Sequence, residues 1–228
     1  MYKISKLSML LFFTFLNTIS FAETKMTVNE IMLKSEKVYA NCKSYMDKGY
    51  VRTEFMEKNG IKTNVTKKIF STAYIRPNKF RFEYAEMKAG ELQGQYIVWK
   101  NNKKVKTYWE LMGEETPESL SMAIAAATGV SGGSALNISS LLIPEVCRKT
   151  LLTRINNPTL IAEKKDENGI MCFVIKGNNE NIWIQKETFL ISKIEEYTEF
   201  DDFNTKSVTA YNPQVNIEIP ENNLKFKQ

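Results

Sequence analysis

In the stretch Lys79-Phe80-Arg81-Phe82-Glu83-Tyr84, three aromatic residues alternate with three charged ones. Successive side chains of a strand point to opposite faces, so this period of two marks a strand with one aromatic and one charged face. Upstream, the run Ile69 to Ile75 ends at Arg76-Pro77, and Asn59-Gly60 separates two β-rich runs as a hairpin turn would. Downstream, Tyr96 to Trp99 reads as a strand that turns at Asn101-Asn102 into Lys103 to Trp109. Strands joined by such short turns form an antiparallel meander.

A second strand-rich region starts at Thr159. Thr159 to Lys165 and Ile170 to Lys176 flank the turn Asp166-Glu167-Asn168-Gly169. Asn181 to Gln185 and Phe189 to Phe200 follow, and Asp201-Asp202 turns into Phe203 to Tyr211. A tail with Pro213 and Pro220 carries Leu224 and Phe226.

Helices are expected before and between these regions. Thr27 with Glu30 reads as a capping box, and Val28, Ile31, Met32, Ser35, Val38, Tyr39 and Cys42 then fall on one helical face. In the middle, Thr116-Pro117 reads as a helix start, with Leu120 to Ala127 as an Ala-rich body ending near Gly129. With so little polar face, that helix is expected to be buried on several sides. Ser131-Gly132-Gly133-Ser134 reads as a flexible connector, followed by a helix over Asn137 to Ile143 and another over Glu145 to Arg154. The expected fold is therefore α+β: a curved antiparallel sheet forming an incomplete, half β-barrel, covered by a helical lid inserted at 116–154.

Residues 1–22 read as a signal peptide. Lys3 and Lys6 precede the apolar run Leu7 to Ile19, which is too short to span a bilayer, and Ser20-Phe21-Ala22 supplies small residues for cleavage after Ala22. The remainder, 23–228, is expected to be one domain, soluble and periplasmic or secreted. Losing Lys3 and Lys6 leaves only a weak, scattered positive charge, and no basic stripe points to nucleic acid. Of Cys42, Cys147 and Cys172, two could pair in an oxidising compartment, or all could be buried free thiols.

The chain has no His, which removes Ser-His-Asp and Cys-His catalysis and most metal hydrolase sites. No glycine-rich phosphate loop is present and no Cys pair has metal spacing, so no catalytic residue, metal or cofactor is expected. An enzyme would need converging carboxylates, such as Glu83 with Glu195 or Glu196. Two readings of the aromatic excess remain. The sheet and its helices form either a filled core or an apolar cavity, and the cavity reading takes Phe80, Phe82, Tyr84, Trp99, Met122, Ile124, Leu141 and Trp183 as its lining.

The stretch Tyr74 to Tyr84, with Arg76-Pro77 ahead of Phe80-Arg81-Phe82, resembles the Arg-Pro-x-x-Phe-Arg-aromatic signature of periplasmic lipoprotein carrier proteins of the LolA/LolB-like family. Tyr96 to Tyr108 is similar to that family's next hairpin, Ile182 to Ile194 to a later strand pair, and Pro213 to Pro220 with Phe226 to its terminal element. The segment Thr116 to Pro144 departs from the pattern, so the resemblance is to a divergent member. It implies a half-barrel that holds a lipid or the acyl chains of a lipoprotein, receives it from an inner-membrane donor complex and passes it to an outer-membrane acceptor, as a monomer. It also implies that Phe80 and Phe82 line the concave face and that Arg76 latches the lid through backbone hydrogen bonds. The alternative is a periplasmic protein-binding or sensor module built on the same half-barrel.

Overall fold

The capping box at Thr27 starts the chain's first helix, α1 (Val28–Asn41). The Thr27 hydroxyl accepts from the Glu30 amide, and the Glu30 carboxylate accepts from Thr27 N–H at 2.8 Å. The computed structural model describes residues 25–227, so the expected signal segment lies outside the described residues.

The first meander runs β1 (Ser44–Glu57), β2 (Lys62–Ile75), β3 (Lys79–Lys88), β4 (Glu91–Asn101), β5 (Lys104–Trp109) and β6 (Gly113–Glu115). Then come α2 (Leu120–Ser131), α3 (Ser134–Asn137), α4 (Ser139–Leu142) and a 3-10 turn at Pro144–Val146. The second meander is β7 (Thr159–Lys165), β8 (Met171–Lys176), β9 (Glu180–Gln185), β10 (Ile191–Glu199), β11 (Phe203–Tyr211) and the short β12 (Gln214–Val215), followed by a 3-10 turn at Glu221–Leu224.

The strands make one open antiparallel sheet in the order β6-β5-β4-β3-β2-β1-β11-β10-β9-β8-β7, with β12 also on β1. This is the α+β incomplete barrel expected from the sequence. The meanders join through β1 and β11, so β6 and β7 are left at opposite edges. The chain between them must cross the whole sheet, and α2–α4 make that crossing over the aromatic face.

Three local expectations are corrected. Ser119, not Thr116, caps α2 by accepting from the Met122 amide, because the chain stays non-helical through the preceding proline. Ser131 to Ser134 is not a flexible connector. Gly132 and Gly133 adopt left-handed conformations that turn α2 directly into α3, while Ser131 and Ser134 are buried and hydrogen-bonded. No α-helix forms over Glu145 to Arg154, where the chain makes only the 3-10 turn and further turns.

Register places Phe80, Phe82 and Tyr84 on one face with Phe70, Tyr74, Tyr96 and Val98. These residues share a single apolar cluster with Leu120, Ala123, Ile124 and Ala127 of α2 and Leu141 and Leu142 of α4. α1 covers the other half of the same face: Tyr39 Oη accepts from Ile191 N at 2.9 Å, and Lys34 lies over the Phe189 ring.

Gly49 marks where two aromatic rings need the space of a side chain. In register it sits between Phe70 of β2 and Tyr211 of β11, whose rings meet edge to face at 5.4 Å. A Cβ there would lie 2.5 Å from Phe70 Cζ and 2.2 Å from the Ala210 carbonyl oxygen. Gly49→Ala is therefore expected to lower stability by about 1–3 kcal/mol, the usual cost of overpacking. A urea midpoint equal to that of the parent chain would contradict this packing.

Candidate functional site

The interface between the aromatic face and α2–α4 is the region the sequence marks for a ligand. Phe80, Phe82, Tyr84, Ile124 and Leu141 all lie in it and all are buried. The space between them is filled by side chains. Phe70 stacks on Phe82 with ring centroids 6.2 Å apart, and Tyr84 stacks on Tyr96 at 6.1 Å.

Met122, Trp99 and Trp183 do not belong to this lining. Met122 is 54% exposed, because α2 buries one stripe, Leu120, Ala123, Ile124, Ala127 and Ser131, and turns Met122, Ala125 and Ala126 to solvent. The burial on several sides expected for α2 is thus corrected: alanine exposes little apolar surface, so one stripe suffices. Trp99 lies opposite Arg81 in register and so on the reverse face of the sheet. Trp183 lies opposite Lys193 and Val174 and packs with Cys172 and Val174, also away from the helices. An aromatic residue in a strand reveals its face only through register, and both tryptophans fall on the unexpected parity.

Two cations on and beside β2 tie the helices to the sheet. Arg76 stands in the turn from β2 to β3. Its Nε donates to Cys42 O at 3.0 Å, and its Nη2 donates to Tyr39 O at 3.1 Å and Leu142 O at 3.2 Å. The guanidinium thus satisfies carbonyls at the C-terminal ends of both α1 and α4, which helices leave unpaired and which carry partial negative charge. Lys68 makes the equivalent contact at the far end: its Nζ donates to Val130 O, in the last turn of α2, at 2.7 Å. Burial lowers the Lys68 pKa. Lys68 is not among the residues the sequence marks, because beside Lys67 in a strand it shows no sign of a buried partner.

A polar group also lies inside the interface. Asp47 projects from β1 onto the helix-covered face, fully enclosed. Tyr45 Oη donates to its Oδ2 at 2.7 Å and Thr72 N donates to its Oδ1 at 2.8 Å. Tyr39 packs on Tyr45 with centroids 5.7 Å apart, and Asn137 of α3 donates to Tyr211 Oη at 3.3 Å, with Arg154 donating to Asn137 Oδ1. The signal available in the sequence was Tyr45-x-Asp47, an acid on the parity of buried residues.

Burial pushes the Asp47 carboxyl up to about 6, against the lowering effect of its hydrogen bonds from Tyr45 and Thr72. The folded chain therefore holds a proton at Asp47 between about pH 4 and 6 that the unfolded chain releases, so this group's contribution to stability falls as pH rises through that window. A shift of about two units corresponds to about 3 kcal/mol. Asp47→Asn is expected to remove that component, so the urea midpoints of variant and parent should diverge in the variant's favour from pH 4 to pH 7. A constant difference between the two across that range would contradict the assignment.

The other face holds an open groove of about 640 Å3 over β1 to β5. Ile69, Ala85, Leu92 and Tyr108 supply apolar surface and Lys48, Ser71, Glu83, Gln95 and Glu110 supply polar groups. Glu83 does not converge with Glu195 or Glu196. It lies on β3, bonded to Arg81 and Gln95, while the other two lie on β10, with β2, β1 and β11 between. All three cysteines are free thiols, with Cys42 and Cys172 buried. No helix among the described residues is long and apolar enough to cross a membrane.

No family model matches the chain, and no curated protein matches it. Among solved structures it is similar to a LolA superfamily protein from Nitrosomonas europaea, at 9% identity and TM-score 0.32, over 88% of this chain and 98% of that one. It is also similar to an outer membrane lipoprotein-sorting protein domain from Vibrio parahaemolyticus, at 8% identity and TM-score 0.36, over 85% and 94%. A chain in the complex of Pseudomonas aeruginosa MucA and MucB is similar at 11% identity and TM-score 0.44, over 86% of this chain and 59% of that one. With likenesses this distant, function has to be read from this chain's own residues.

Proposed function

We propose that the chain is a non-enzymatic carrier or binding protein of the cell envelope that takes a lipid, or the acyl chains of a lipoprotein, between the aromatic face of its sheet and helices α2–α4. The observation that carries this reading is the Arg76 guanidinium, which joins the ends of α1 and α4 to the sheet through carbonyl hydrogen bonds. Beside Lys68 at the far end, the Asp47 cluster and buried hydroxyls such as Ser139, Ser140 and Thr107, the interface is built of apolar side chains, as an acyl chain requires. The filled interface is then the closed, empty form, and entry of a ligand lifts α2–α4 by breaking the contacts of Arg76 and Lys68. An inner-membrane donor complex and an outer-membrane acceptor fit the resemblance seen in the sequence, with the protein acting as a monomer. The filled interface together with the groove on the reverse face supports a second reading, a protein-binding or sensor module.

Arg76→Leu removes the donors while keeping an apolar side chain. Uptake of a fluorescent fatty acid, followed by stopped-flow, is expected to be about tenfold faster, the equivalent of about 1.4 kcal/mol from charge-assisted bonds that no longer have to break. Unchanged uptake by a variant with a parental circular dichroism spectrum would contradict the latch.

A further inference from the structure

The reverse face of the sheet already holds a peptide, the chain's own segment 221–227, a 3-10 turn over Glu221–Leu224 that opens into extended backbone at Lys225. Register puts Arg81, Trp99 and Lys106 side by side on that face, with Tyr108 and Glu114 adjacent. Arg81 is 4% exposed, and its Nε donates to Lys225 O at 2.7 Å. Trp99 Nε1 donates to Leu224 O at 2.7 Å. Two neighbouring side chains thus address two consecutive backbone carbonyls where the 3-10 turn opens out, a form of recognition that reads backbone rather than side chains. Beyond these, Phe226 packs on Trp99 with ring centroids 5.7 Å apart, and Lys106 Nζ lies 5.2 Å from the centre of the Phe226 ring. Lys227 Nζ sits 2.7 Å from Glu114 Oε1 and 4.2 Å from the centre of the Tyr108 ring. The result is an aromatic slot followed by a cation site made of a carboxylate and a ring face.

The trough does not stop at Lys227. A recess of about 220 Å3 bordered by Arg81, Ile97 and Lys227 shares Glu83, Gln95 and Tyr108 with the 640 Å3 groove. The Glu110 and Glu114 carboxylates stand along this path, while Glu83 is paired to Arg81 and Lys48 also lines the groove. Glu110 and Glu114 complement a basic residue, and Ile69, Ala85 and Leu92 offer apolar contacts further on.

We propose that this trough is a docking site for a short peptide segment of a partner protein carrying an aromatic residue followed by a lysine or arginine, and that residues 221–227 occupy part of it in cis. The tail is then a competitor that the partner displaces, gaining the unoccupied groove in exchange. The site lies on the face opposite the helices and does not depend on what those helices enclose.

The test uses the full chain and a fluorescein-labelled peptide of the sequence Glu-Asn-Asn-Leu-Lys-Phe-Lys. In the double variant Phe226→Ser, Lys227→Ser the cis tail loses its slot contacts, and fluorescence anisotropy is expected to give at least tenfold tighter peptide binding than in the parent chain. The same peptide with Ser in place of its Phe and last Lys is expected not to bind. The Trp99 indole N–H, followed by NMR in the same double variant, reports the site directly and is expected to return to its parental shift as the peptide is added. Equal binding to parent and double variant, or a Trp99 resonance that does not move, would overturn the proposal. Dimerisation of the parent chain that the peptide fails to reverse would assign the trough to a second copy's tail and overturn it as well.

Discussion

The two edges of the sheet set the plan of the molecule. β6 ends the first meander at one edge and β7 begins the second at the other, so the linking chain has to traverse a face of the sheet. An open sheet with an aromatic face cannot leave that face in water, and a linker that must cross it anyway is the cheapest cover. The helices α2–α4 are that cover. They turn sharply through Gly132 and Gly133; α2 contributes one apolar stripe, and the four residues of α4 are all buried.

A cover formed by a linker is held to the sheet by few polar bonds. Arg76 bonds a carbonyl at the end of α4, Lys68 one at the end of α2, and Asn137 of α3 donates to Tyr211. Their bonds are directional and few, whereas the apolar contact between α2 and the sheet is broad and non-directional. Such a division suits a surface that exchanges one apolar partner for another, since an acyl chain can replace the stripe of α2 at roughly 0.8 kcal/mol per buried methylene. The two faces of the sheet then have separate tasks, one closed by helices and one partly occupied by the tail.

Strand alternation, turn residues and the Thr27 capping box were enough to read the meanders and α1, because these signals are local. The aromatic face was legible at Phe80, Phe82 and Tyr84 for the same reason. Trp99 and Trp183 were assigned to the wrong face because parity is fixed by strand register, which depends on pairing partners distant in sequence. Lys68 and Asp47 were missed since a lysine pair and a single acid in a strand look solvated until the covering helix is placed. The resemblance supplied Arg76, and the geometry around it is a three-carbonyl contact that no spacing rule would have revealed. The middle segment was read least well, because glycines beside serines favour either a loose linker or a tight buried turn, and only packing decides between them.

The most direct measurement is native mass spectrometry of the protein, before and after incubation with a diacylated lipopeptide, followed by organic extraction. The expected result is one lipopeptide bound per chain, with the deuterium exchange of α2–α4 amides raised relative to the empty protein. An unliganded mass after incubation, with α2–α4 exchange unchanged, would contradict a lid that opens for acyl chains.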